Sequence, residues 1–368
     1  METKVAIIGG GLAGLCAGKL LHSAGINFLL LEARERLGGR ILSVDQNGSP
    51  SEDGFDLGPS WFWPEMQPAI GAVVKDLGLD TFPQHGEGDV IFQRMSRETP
   101  WRYRPTQQEP WSMRIAGGAG TLVRALGKKF PPERILLGAR VERVKLGSTY
   151  STLTYSMTDG AEQGIVAEQV IAAIPPRLLA EISFSPSMDA ADIDRWRATP
   201  TWMAPHAKFF AVYDRPFWRE AGLSGTAQSL AGPLAEIHDA TTASGKAALF
   251  GFPAVGADAR LAMGEAALKR ACLDQLARLF GPEALEPQAT LLKDWAADPL
   301  TATAQDQSGG EHPHPSAEPW VTGVWRERFS LGGSETSPVE PGYMAGAVVA
   351  AERAVAEVMQ RLDQVHSA

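Results

Sequence analysis

The chain has 368 residues, too many for one small core and suited to two domains. Its apolar share of 44% and charged share of 21% are those of a soluble globular protein. A net charge of −9 without a long basic run argues against nucleic acid or an anionic membrane as the main partner.

In chain order, "KVAIIG" (4–9) reads as a buried parallel strand by its continuous apolar run. Gly9, Gly11 and Gly14 then fit G-x-G-x-x-G. The first glycine allows the tight turn, the second lets a pyrophosphate approach the backbone, and the third lets helix and strand pack closely. Residues 11–24 continue as a helix, on which Cys16 reads as a small packing residue. "NFLLLE" (27–32) is the next strand and closes on Glu32, at the distance where an acid accepts hydrogen bonds from an adenosine ribose. Strand, turn, helix and acid together predict a dinucleotide-binding unit.

The following segment says which dinucleotide. "EARERLGGRI" (32–41) resembles the second signature of FAD enzymes of the glutathione reductase type. That resemblance implies pyrophosphate contacts from Gly38, Gly39 and Arg40 and an adenosine contact from Arg34. "GFDLGPSWFW" (54–63) stands where this family brings a loop beside the flavin, with Gly58, Ser60 and Trp61 as candidates. Trp61 and Trp63 equally suit ordinary packing. "GGAGTLVRAL" (117–126) looks like the family's glycine-led helix, and "ARVERV" (139–144) supplies a strand on which Val141 matches an adenine-side contact. "VIAAIPP" (170–176) resembles the strand that crosses back toward the substrate domain.

"AKFFAVY" (207–213) puts Lys208 in line with Phe210 and Val212 on one face of a strand. Alone, it suits an edge strand whose lysine snorkels to water. With "DRPFWRE" behind it, the stretch is similar to one in the flavin-dependent amine oxidases, whose lysine reaches the flavin N5 through a water. On that resemblance Lys208 points into a cavity. Trp295 in "LLKDWAADPLT" (291–301) matches a family tryptophan near the isoalloxazine. At the C-terminal end, "FSLGGSETSPVEPGYMAG" (329–346) reads as a short strand, a loop and a helix opened by Gly342, whose free N–H groups suit an anion or a flavin carbonyl edge. It resembles the family's G-T-E-T and G-Y-M signature. Ser334, Glu335, Thr336, Gly342, Tyr343 and Met344 match, and Tyr343 falls on the family's aromatic-cage tyrosine. Lys208, Tyr343 and Trp295 are the implied catalytic residues.

The departures carry information too. Family members that bond FAD covalently use a cysteine shortly after that tryptophan. None occurs here, so FAD is expected to be non-covalent. Threonines or alanines occupy 301–303, where the resemblance implies the second cage tyrosine, and only about forty residues separate the helix at 67–78 from "GGAGTL", which implies a reduced lid.

The resulting expectation is an α/β protein. A Rossmann-like FAD domain would be assembled from 1–79, 117–186 and 292–368. An α+β substrate domain would come from 80–116 and 187–291, with a mixed sheet including 206–213 and 247–252 and an amphipathic helix 264–280. The expected reaction is hydride transfer from an amine to flavin N5, with oxygen as acceptor and hydrogen peroxide as product. Rival readings are a renalase- or desaturase-like oxidoreductase using NAD(P)H or a cyclic substrate, and a non-catalytic escort of small GTPases. No metal site is expected, since His312 and His314 in the "GGEHPHP" loop (309–315) suit solvated positions. His206 reads as a strand-end polar residue. The two cysteines, Cys16 and Cys272, form no CxxC pair or disulfide framework, which suits the cytoplasm. No apolar run is long enough for a bilayer, and the early strand leaves no room for a signal peptide. The sequence leaves the oligomeric state open.

Overall fold

The computed structural model describes residues 1–105, 111–307 and 311–367, with side chains to residue 364. Residues 309 and 310 of the "GGEHPHP" loop, and 106–110 of the expected substrate segment, lie outside the described residues. The chain forms two compact units, Met1–Arg40 with Leu122–Trp202 and Gly310–Ala368, and Ile41–Thr121 with Met203–Gly309.

In the first unit, strand Glu2–Ile8 lies at the centre of a sheet, paired in parallel with Phe28–Leu31 on one side and Glu162–Ala172 on the other. Val5, Ala6 and Ile7 are fully buried, as a strand covered on both faces requires. Phe28–Leu31 leads on to Ile135–Leu136, and Phe329–Leu331 adds in parallel to the end of Glu162–Ala172. An antiparallel meander, Arg140–Leu146, Ser151–Ser156 and Glu162–Ala172, completes that side. Helix Leu12–Ser23 packs on helix Met344–Ser367, where Ala347, Ala350, Ala351 and Ala354 form a buried stripe of small side chains.

In the second unit the strands run in the order Ala289–Asp294, Ala207–Tyr213, Ala247–Pro253, Leu234–Asp239, Leu223–Ser229, Asp89–Gln93 and Trp101–Tyr103. Leu223–Ser229 and Asp89–Gln93 pair in parallel while the others are antiparallel, so the sheet is mixed. Phe209, Ala211 and Tyr213 face a core with helix Glu265–Phe280. Phe210 and Val212 face a second core with Val44, Phe55, Leu57 and Phe250. Both faces of "AKFFAVY" are therefore covered, and the strand is interior, flanked by Ala289–Asp294 and Ala247–Pro253. This overturns the edge-strand reading of Lys208.

The units do not follow the expected segment bounds. Residues 41–79 cluster with the second unit because Val44, Phe55 and Leu57 pack on Phe210 and Phe250. Residues 292–309 join it because Ala289–Asp294 pairs with Ala207–Tyr213. Residues 187–202 join the first unit, where Trp196 is buried with Trp320 and Trp325.

Candidate active site

In the first unit the glycine turn is built as an open cradle. Gly9 has φ +103°, and a Cβ at Gly14 would sit 1.9 Å from the Gly9 carbonyl oxygen, so the start of the helix is pressed against the turn. Gly11 is different: a Cβ there would meet nothing nearer than the Gly38 carbonyl oxygen at 4.0 Å. Helix Leu12–Ser23 has no side-chain cap on its first turn and no acidic residue there, which leaves its positive end free for an anion. Gly38, at φ +104°, donates its N–H to the Gly10 carbonyl at 2.8 Å, seating the second glycine loop on the first.

Glu32 is 4% exposed, not a solvated strand end. Its carboxylate accepts the Gly10 N–H at 2.7 Å and the Arg34 N–H at 2.8 Å, with the Arg34 guanidinium 3.9 Å away. Val141 is buried in the core beneath the sheet. These residues fit a dinucleotide's adenosine and pyrophosphate, since the space, the acid and the free N–H groups coincide.

Arg40 holds together distant parts of this unit. It donates to both oxygens of the fully buried Glu335 at 2.6 and 3.1 Å, to Ser334 Oγ at 2.9 Å and to the Trp202 carbonyl at 3.0 Å. Ser334–Thr336 form one buried 3-10 turn, and the Ser334 carbonyl accepts the Gly342 N–H at 3.0 Å. Gly342 has φ +84° and lies outside the helix, which spans Met344–Ser367. The helix thus opens two residues later than expected, because a left-handed residue cannot continue a right-handed helix. Gly342 is required where it stands: a Cβ would lie 2.5 Å from Trp202 Cβ. Beside it, the half-buried rings of Trp202, His312 and Tyr343 group together, with centroids 4.2 Å apart for Trp202–His312, 5.1 Å for His312–Tyr343 and 5.9 Å for Trp202–Tyr343. Met344 is half-buried at the helix start, and His314 is exposed.

In the second unit Lys208 is 4% exposed, and its Nζ donates to the Asp56 carbonyl at 2.8 Å, the Gly58 carbonyl at 2.8 Å and Ser60 Oγ at 2.7 Å. Its protein partners thus all come from the 56–60 loop. The Phe250 ring lies 4.4 Å from the ammonium. Burial lowers the Lys208 pKa to about 7, with the Asp56 charge opposing that shift and Arg114 adding to it. Asp56 is buried in turn, and burial pushes its pKa up. Its Oδ1 accepts from Ser43 Oγ at 2.5 Å and from the Ala119 N–H at 2.8 Å, while its Oδ2 has no hydrogen-bond partner among the described residues. The tight "GGAG" turn delivers that Ala119 N–H. Gly118 has φ +86°, and a Cβ there would meet Ser43 Oγ at 2.6 Å.

Trp295 completes the loop's anchoring, since its indole N–H donates to the Leu57 carbonyl at 3.0 Å. Carbonyls 56, 57 and 58 are therefore all held by Lys208 or Trp295. Trp61 packs by its ring on His238 and Phe250 and donates to Gln84 Oε1 at 2.8 Å, and Trp63 donates to Ser112 Oγ at 2.9 Å. These are packing contacts, one of the two readings the sequence allows for these tryptophans. Sequence reasoning missed Asp56 and Trp202, and it read His312 as solvated, whereas that ring is half-buried with its Nε2 buried. The aspartate of "GFDLG" signalled a buried acid only once Lys208 was known to lie against it. No pattern linked residue 202 to residues 312 and 343. Among the described residues no group of three or more His, Cys, Asp or Glu is arranged to hold a metal.

Comparison with known proteins identifies the family and the fold. A family model described as "Flavin containing amine oxidoreductase" matches residues 12–112 and 98–359. The flavin-containing amine oxidase B of Homo sapiens is 25% identical, over 99% of this chain and 87% of its own length. A putrescine oxidase of Kocuria rosea is 22% identical, over 96% and 91%. The alignment with the human relative runs over 476 positions, more than the 368 residues of this chain, so the relative carries segments that this chain lacks. Among solved structures, a putrescine oxidase bound to putrescine superposes with a TM-score of 0.79 at 21% identity, covering 98% of this chain and 99% of that one. A cyclohexylamine oxidase from Brevibacterium oxydans gives 0.79 at 20%, covering 99% and 100%.

Proposed function

The chain belongs to the flavin-containing amine oxidoreductases, with FAD as cofactor, and from that premise we propose that it oxidises a small primary or secondary amine with oxygen as acceptor. The observation that carries this reading is the buried ammonium of Lys208. Burying a lysine costs stability, and three hydrogen bonds and an aromatic face only offset that cost. A methionine would fill the same space without it. A charge kept in such a place, with its pKa lowered by burial, is the mark of a functional group.

In this reading Gly9, Gly11, Gly14, Gly38 and Gly39 admit the pyrophosphate, and Glu32, Arg34 and Val141 serve the adenosine. Arg40 supports the pyrophosphate side while fixing Glu335 and Ser334, and Gly342, Tyr343 and Met344 serve the flavin end. In the second unit Gly58, Ser60 and Trp61 are the flavin-side residues, and Lys208 and Trp295 keep their loop in one backbone conformation. When bound, FAD supplies the hydride acceptor and the route to oxygen, so the products are an imine, which water converts to an aldehyde, and hydrogen peroxide. The protein's share is to exclude water and favour the neutral amine, the form that releases hydride, with apolar and aromatic walls. FAD is held without a covalent bond, since Cys16 and Cys272 are unpaired, buried in helices, and neither follows Trp295. Unpaired cysteines fit a reducing cytoplasm. Among the described residues no helix is long and apolar enough to cross a membrane.

The test is anaerobic mixing of the yellow protein with a panel of amines and, separately, with NADH and NADPH. Amines are expected to bleach the flavin and nicotinamides to leave it unchanged. Bleaching by nicotinamides alone would move the protein to the NAD(P)H-oxidising reading, and a protein that purifies colourless would revive the non-catalytic one. Acid precipitation is expected to release all of the FAD. Yellow colour retained by the precipitate would rule out non-covalent binding.

A further inference from the structure

We infer that Asp56 and Arg114 are positioning residues that act through Lys208, the Asp56 carboxylate holding the proton on its ammonium and the Arg114 guanidinium loosening it. The inference rests on the amine-oxidase reading for its consequence in the reaction, and it concerns two buried charges to which that reading gives no task. Lys208, Asp56 and Arg114 are 4%, 2% and 5% exposed, and all three belong to the second unit. Asp56 touches the lysine through its main chain, where its carbonyl accepts the Nζ at 2.8 Å. Its carboxylate receives Ser43 Oγ and the Ala119 N–H on Oδ1, while Oδ2 has no hydrogen-bond partner among the described residues. Arg114 stands on the short strand Met113–Ile115 and donates to the Thr241 carbonyl at 2.9 Å and the Ala240 carbonyl at 3.3 Å. Its guanidinium lies 5.1 Å from the centre of the Phe82 ring. These partners are all neutral, so Arg114 keeps a full charge in the interior, and a guanidinium does not give up its proton.

Two buried cations and one buried anion leave the cluster with an excess of positive charge. Only the lysine can relieve that excess, because the arginine stays protonated. The Asp56 charge favours the ammonium and the Arg114 charge disfavours it, both acting on a group that burial already discourages from being charged. The carboxylate is kept ionised against its own burial by the two donors on Oδ1 and by the same two cations. Other charges on the elements around Lys208 are paired among themselves. Lys293, opposite it on Ala289–Asp294, meets Asp298 at 2.9 Å. Asp239 takes Arg219 at 2.7 Å, Asp294 takes Arg260 at 2.7 Å, and His238 Nε2 lies 3.6 Å from Glu236. Strand Ala247–Pro253 carries no charged residue. The charge on Lys208 is therefore a balance between two fixed neighbours of opposite sign. Removing either one should move that balance, and the two removals should move it in opposite directions.

The opposed signs can be read directly by NMR titration of the holoenzyme made with isotope-labelled lysine, in which the Lys208 signal is the one that Lys208→Met removes. The wild-type midpoint is expected at about 7. Asp56→Asn keeps an oxygen for Ser43 and Ala119 and removes the charge, so its midpoint is expected at least about one pH unit lower. Asp56→Glu restores a carboxylate and should recover part of that shift. Arg114→Gln keeps a donor for the carbonyls and removes the charge, so its midpoint is expected to rise. Stopped-flow reoxidation should follow, falling off at lower pH than the wild type in Asp56→Asn and at higher pH in Arg114→Gln. An Asp56→Asn midpoint at or above that of the wild type, or an Arg114→Gln midpoint at or below it, would overturn the proposal. Reoxidation profiles that stay in place while the midpoints move would overturn it too, since the pair would then serve no step. Residues that only prop up the 56–60 loop would move both midpoints the same way or neither. Each variant tests one sign on its own, so one that fails to fold leaves the other to decide. Flavin that amines still bleach while the midpoints stay in place removes only this inference. In a protein that no amine bleaches the amine-oxidase reading falls, while the midpoints decide the charge pair by themselves.

Discussion

Glu32 and Lys208 are both buried charges, and the protein satisfies them in opposite ways. The Glu32 carboxylate takes its hydrogen bonds from Gly10 and Arg34, both within 22 positions along the chain and all inside one strand–helix–strand unit. The Lys208 ammonium takes its acceptors from Asp56, Gly58 and Ser60, about 150 positions away. The carboxylate is met by backbone N–H groups that the turn presents wherever the glycines fold it. The ammonium is met by carbonyls that point at it only because Trp295, itself 238 positions from Leu57, holds the same loop. A local cradle is robust and tied to its motif. A long-range well exists only when the whole unit is assembled, so its members should be coupled to one another and sensitive to pH.

The largest effect that would sharpen this contrast is at Gly14. Any side chain there meets the Gly9 carbonyl at 1.9 Å, so Gly14→Ala is expected to abolish FAD retention, read as loss of flavin absorbance from the purified protein. Full flavin content in that variant would mean the turn tolerates a shift, and the cradle would not be the rigid element described. Next is Lys208→Met, which keeps the stem and removes the charge. FAD content and anaerobic reduction by amines are expected to stay near normal. Reoxidation by oxygen is expected to slow roughly tenfold to a thousandfold, because a fixed positive charge stabilises negative charge developing on oxygen. In the wild type, reoxidation should also slow as pH rises through about 7, where Lys208 loses its proton, and the variant should lack that step. Stopped-flow reoxidation at wild-type rate would reduce Lys208 to a fastener for the loop.

Trp295→Phe separates the two halves of the well. It removes only the donor to the Leu57 carbonyl and leaves the charge, so a stability loss of about 1–3 kcal/mol is expected with a smaller effect on reoxidation. A reoxidation defect as large as that of Lys208→Met would show that loop position, not charge, carries the effect. The smallest expected signal is in stability against pH. Lys208 has a folded pKa of about 7 against 10.5 for an ordinary lysine, so between those values the unfolded chain binds more protons than the folded one. Stability should therefore rise with pH across that window, by at most about 1.4 kcal/mol per pH unit. Below about pH 7 both states are charged and the slope vanishes. Subtracting the Lys208→Met profile isolates this contribution, and identical profiles would place the lysine's pKa near its ordinary value.

How much of this was legible follows from the same distances. "KVAIIGGGLAGL" fixes a strand, a turn and a helix within a dozen residues, because burial on both faces demands a continuous apolar run and each glycine answers a steric demand inside the turn. Glu32 and Gly38 follow in the same strand–helix–strand unit and were legible as site residues, whereas the hydrogen bond that seats Gly38 on Gly10 was not. The apolar strand Phe329–Leu331 and a glycine at the approach to the last helix were visible in outline, although the helix starts two residues later than Gly342, whose left-handed φ only the folded chain supplies. The sequence alone could not say that "AKFFAVY" is an interior strand. A lysine among apolar residues fits an edge or a centre equally well until the flanking strands Ala289–Asp294 and Ala247–Pro253 are in place. Nor could it connect Asp56 with Lys208, or Trp202 with His312 and Tyr343. Local sterics and hydrophobic periodicity determine elements and turns from neighbouring residues, whereas the partner of a buried charge is decided by which distant segments the tertiary fold brings within hydrogen-bond reach.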